Sequence, residues 1–146
     1  MLDMRGCLIL ISVIVGLISA SALAQNEDTL KLQLPPAAQC DGNYAIVRIS
    51  ELVPGGSMEE FLKVVEVHKA WYRSHGFMNN EIYAAKIFVQ DEATKVHKSS
   101  DTEIMTFHVR PPSEVKIDAE WVAFVKRYED IAHVKSAYFV CLPKNH

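Results

Sequence analysis

The sequence predicts an α+β domain in which four strands and two helices follow one another as βαββαβ, building one antiparallel sheet with both helices on one face. Three observations predict it. Two stretches carry apolar residues at helical spacing, and each opens on a capping residue. Around them lie four runs rich in β-branched and aromatic residues. Pro-Gly-Gly after the first run and Pro-Pro after the third stop the strands where the order requires it. Of 146 residues, the part after residue 24 suffices for one such domain and one core.

Residues 1–24 read as a secretory signal peptide. Arg5 supplies the basic start, Leu8–Ile18 the apolar centre, and Ala22-Leu23-Ala24 the cleavage site. The apolar centre falls short of the roughly 20 residues that span a bilayer. The expected mature chain, Gln25–His146, is exported to the periplasm or the exterior as a soluble protein. Its formal charge of -3 is the same with or without Asp3 and Arg5. That balance gives no electrostatic footprint for nucleic acid, and no basic cluster to dock on an anionic membrane, so neither partner is expected. Cys7 leaves with the signal. Cys40 and Cys141 read as a disulfide in an oxidising compartment. Neither has a second Cys or His at zinc-ligand spacing, and no metal is called for.

Residues 25–39 form an extended arm ending at Pro35-Pro36, and residues 40–146 the domain. Tyr44–Ser50 is the first strand, bounded by Asp41-Gly42-Asn43 and Pro54-Gly55-Gly56. Ser57 caps the first helix with Glu60 three positions on, and the helix runs to about His75, where Gly76 accepts positive φ. At 100° per residue, Met58, Phe61, Val64, Val65, Trp71 and Tyr72 share one face. Glu81–Gln90 is the second strand, Asp91–Asp101 a polar loop, and Glu103–Arg110 the third strand, alternating Ile104, Thr106 and His108 against Met105, Phe107 and Val109. Asp118 caps the second helix, which buries Trp121, Phe124, Val125, Tyr128 and Ile131. Ser136–Leu142 is the fourth strand.

This order is the ferredoxin-like one, with spatial strand order 4-1-3-2. It makes the first and last strands antiparallel neighbours. Cys40 and Cys141 then face each other across that pair, a second and independent route to the disulfide.

Residues 44–76 carry a strand ending in Val53-Pro54-Gly55, a helix opening on Glu60-Phe61 and a close at His75-Gly76. In these features the chain resembles the dimeric α+β barrel superfamily, in particular its antibiotic-biosynthesis-monooxygenase and NIPSNAP-like branches. The resemblance implies a homodimer whose sheets meet face to face, with a ligand cavity in each subunit between sheet and helices. It implies as well a cofactor-independent monooxygenase or isomerase acting on a small aromatic compound. The Asn, Trp and His set of the haem-degrading branch has no clear counterpart, and no cofactor is expected. The apolar alternation on both faces of the third strand also asks for a partner on the uncovered face.

Two imidazoles, His68 and His75, lie about 20° apart on the apolar face of the first helix. They are the candidate catalytic bases, with Trp71, Tyr72, His108 and Trp121 as candidate walls for a small apolar or aromatic ligand. The competing reading makes them hydrogen-bonded structural histidines in a non-catalytic extracytoplasmic binding or interaction module. Arg48, in a mostly apolar strand, is expected to pair with a carboxylate such as Glu103, or else to receive an anionic group of a substrate.

Overall fold

The computed structural model describes residues 29–144. The expected signal peptide, the first residues of the arm and the last two residues lie outside the described part. Strands β1 (Thr29–Lys31), β2 (Asn43–Leu52), β3 (Glu81–Gln90), β4 (His97–Val109), β5 (Glu114–Lys116) and β6 (Ala132–Leu142) alternate with helices α1 (Met58–Ser74) and α2 (Ala119–Ile131). The fold is α+β: a four-stranded antiparallel sheet of order β3-β4-β2-β6, and a two-stranded sheet of β1 and β5.

The helices begin as their sequences dictate. Ser57 Oγ accepts the Glu60 N–H and donates to the Glu60 carboxylate. Asp118 accepts the Trp121 N–H at the start of α2. Past α1, Gly76 turns the chain at φ +86°, a conformation costly for any residue with a Cβ. Phe61, Val64, Val65, Trp71 and Tyr72 of α1 and Phe124 and Ile131 of α2 form one core with Ile82 of β3 and Ile104 of β4. Both helices therefore cover the sheet face that carries the even-numbered residues of β2, β3 and β4.

β2 and β6 are antiparallel neighbours, with Tyr44 opposite Cys141. Cys40 and Cys141 are disulfide-bonded, their Cα atoms 5.5 Å apart. Gly42 lets the strands close here, because a Cβ at that position would sit 1.7 Å from the Leu142 carbonyl oxygen.

One expectation is corrected. Residues 91–101 are not a long loop: β4 begins at His97 and pairs with β3 up to Gln90, leaving only a short turn. Asp91 makes that turn, its side chain accepting the Ala93 and Thr94 N–H groups while Lys95 takes φ 57°. Both strands project beyond the core here, so no face is buried and no apolar alternation marks them. The arm, besides being extended, pairs with the domain. Thr29–Lys31 pairs with Glu114–Lys116, and Leu32 N–H donates to the Ser113 carbonyl. Three-residue strands leave too little periodicity to be read from sequence.

Candidate functional site

Strand alternation decides what lies beneath the helices. Ile46, Arg48 and Ser50 of β2 are paired in register with His108, Thr106 and Ile104 of β4, so all six point to the helix side. Opposite them α1 presents Phe61, His68 and Tyr72, and α2 presents Trp121, Val125 and Tyr128. These elements enclose a cavity of about 510 Å³, partly open to solvent, within the range of small-molecule sites. Leu30 and Leu32 of the arm and Val115 of β5 close one side, and Glu129, His133 and Val134 form a rim near the α2–β6 junction.

His68 stands at the centre of an aromatic cage. Its ring stacks on Phe124 at 4.7 Å and meets Tyr72, His108, Tyr128 and Trp121 at 5.2, 5.7, 5.8 and 6.0 Å. Its Nδ1 is 3.4 Å from the Tyr128 hydroxyl, while its buried Nε2 has no partner among the described residues. His108 is buried, and its Nε2 accepts from the Asn80 side-chain amide at 3.0 Å. Burial, and then the charges of His108 and Arg48, bring the His68 pKa down to about 3. Burial and Arg48 bring that of His108 to about 4. Both imidazoles are thus neutral at pH 7. Burial raises the phenols of Tyr72 and Tyr128 well above their ordinary range, Arg48 opposing, so both stay protonated.

Arg48 does not pair with Glu103. The two residues occupy opposite faces of the sheet, since Glu103 shares its parity with Met105 and Phe107. Lys135 takes Glu103 instead, from a bulge where β6 slips by one residue against Ile49 and Ser50 of β2, and it lies 4.0 Å from Glu51. Arg48 is half-buried, borders the cavity, and makes no ion pair or hydrogen bond among the described residues. Burial lowers its pKa against the opposing influence of Tyr72 and Tyr128, yet a guanidinium keeps its charge in any protein environment.

The structure brings together His68, Tyr72, His108 and Trp121 of the expected residues, and leaves out two. His75 caps α1 outside the cavity. Its Nε2 lies 2.8 Å from Asp118 Oδ2, its Nδ1 2.8 Å from the Trp71 carbonyl, and its ring stacks on Trp71 at 4.0 Å. Trp71 is buried in the core, donating from Nε1 to Asp118 Oδ1 at 2.9 Å. Burial opposes ionisation of Asp118, but the hydrogen bonds from Trp121, Trp71 and His75 outweigh it and hold its carboxyl below the usual range. These contacts lock the end of α1 to the start of α2. On an ideal helix His68 and His75 share a face; what separates them is axial distance, about 10 Å for seven residues. Leu30, Leu32, Thr106, Val115 and Tyr128 are cavity residues with no sequence signal beyond a core or arm position.

The fold and site together define an α+β protein with a partly open, aromatic-lined cavity between sheet and helices. Comparison with protein-family models, with curated proteins and with solved structures finds no match to this chain.

Proposed function

We propose that this chain is an exported small-molecule-binding protein of ferredoxin-like topology and dimeric α+β barrel type, holding a small apolar or aromatic compound in the cavity around His68. One observation carries the reading: about 510 Å³ stays open beside a dense aromatic cluster, where a structural core would be filled. The Cys40–Cys141 disulfide is compatible with export, and among the described residues no helix is long and apolar enough to cross a membrane. Binding is favoured over catalysis as cofactor-independent monooxygenase or isomerase, because imidazoles of pKa about 3 and 4 are weak general bases at neutral pH.

Trp121 lines the cavity and reports on its contents. Aromatic compounds should change the tryptophan fluorescence saturably, and Thr106→Phe, which adds a ring to the cavity lining, should weaken binding by about tenfold or more while the unfolding midpoint holds. Unchanged affinity in the variant would place the ligand elsewhere.

The homodimer is proposed on the uncovered sheet face. Val47, Ile49, Met105 and Phe107 lie there, with Tyr83 stacked on Phe107 at 4.9 Å and Tyr138 56% exposed. Phe107→Asp should convert a dimer to a monomer in sedimentation velocity. A wild-type monomer at micromolar concentration would end this part of the proposal.

A further inference from the structure

Resting on the cavity reading above, we infer that the ligand is an aromatic monocarboxylate whose anionic group is received by Arg48. Three observations converge. Arg48 is a half-buried cation bordering the cavity with no acidic partner among the described residues. A desolvated charge without a partner is costly, and folded proteins rarely keep one except where a ligand completes it. The hydroxyls that line the cavity with it, on Ser50, Tyr72, Thr106 and Tyr128, can each donate a hydrogen bond. The Tyr72 hydroxyl, on a buried residue lining the same cavity, also makes no hydrogen bond among the described residues. A guanidinium beside a free phenol is a receptor for oxygen anions.

The charge count sets the class. His68 and His108 are neutral at pH 7, and among the described residues that line the cavity Arg48 is the one arginine or lysine. Glu129, the one acidic residue among the described lining residues, is exposed at the rim. One negative charge is balanced there, whereas the second charge of a phosphate monoester would be buried unopposed. The aromatic walls, Trp121, Tyr128 and Phe61, supply the surface for the rest of the ligand.

Calorimetric titration of the full mature chain at pH 7 with naphthoate, naphthamide and naphthyl phosphate tests this. Naphthoate is expected to bind about tenfold or more tightly than its neutral amide, and more tightly than the phosphate. Arg48→Met should erase the preference by weakening naphthoate alone. In the absence of ligand, Arg48→Met should raise the unfolding midpoint by about 3 °C or more, since it removes an unbalanced buried charge. A structural role for Arg48 would lower the midpoint instead, and that result would overturn the inference. Equal binding of acid and amide, or equal loss of both in the variant, would overturn it while leaving the cavity reading intact. Tighter binding of the phosphate would overturn the choice of carboxylate. If no naphthalene binds at all, the cavity reading fails and this inference with it.

Discussion

Opening the Cys40–Cys141 bridge is expected to cost about 4–5 kcal/mol, the chain-entropy value for a link closing a loop of about 100 residues. The two cysteines are 101 positions apart and enclose nearly the whole described domain. The link therefore restricts the unfolded chain almost as much as any single bridge in this domain could. In the folded state it joins strands already paired, Tyr44 opposite Cys141, so its removal leaves the β2–β6 ladder in place. Cys40→Ser with Cys141→Ser should lower the thermal midpoint by about 15–20 °C for a domain of this size. Calorimetry of the oxidised, reduced and doubly substituted forms checks it. A midpoint that does not move on reduction would mean that the bridge constrains nothing in the unfolded chain.

Acid should destabilise this protein well above the pH at which most carboxylates titrate. In the unfolded chain His68 and His108 take up protons below about pH 6.5. In the folded protein they remain neutral until about pH 3 and 4. Between those limits the unfolded state binds more protons, so stability falls as pH falls, and it is fully present only above the unfolded value. Two such histidines cost about 4 kcal/mol at pH 5, a large share of the 5–15 kcal/mol typical of a domain. Denaturant unfolding at a series of pH values from about 7.5 to about 5, which crosses the upper edge of that range, gives the slope. His68→Phe keeps a ring against Phe124 but removes one titrating group, and should reduce the slope by about half. A flat profile in the wild type would mean that both imidazoles take up protons in the folded protein as readily as in the unfolded chain.

Elements with a buried and an exposed face were legible in the sequence. The period of Phe61, Val64, Val65, Trp71 and Tyr72, the caps at Ser57 and Asp118, and the stop at Gly76 each leave a local chemical mark, and each appears where expected. The neighbouring of the first and last long strands followed from element order, with the cysteines as an independent witness. Less legible was whatever tertiary pairing alone creates. Residues 97–101 are strand only because β3 runs alongside, and Thr29–Lys31 only because β5 does.

The site divides in the same way. His68, Tyr72, His108 and Trp121 could be named because inward polar or aromatic residues stand out on a helix or strand face. His75 could not be separated from His68 by angle, because its partner Asp118 lies 43 residues away. Arg48 was conspicuous, but its partner depended on register. A carboxylate at an odd position of β4 cannot reach an arginine on the helix side, and that parity becomes visible only once β2 and β4 are paired.

The most direct test is a crystal structure of residues 25–146 grown with naphthoate. The expected result is density for the ring system between α2 and the sheet, beside Trp121 and Tyr128, with the carboxylate on the Arg48 guanidinium. A structure in which Leu30, Trp121 and Tyr128 have closed over Arg48, leaving no room for a ligand under the helices, would contradict it.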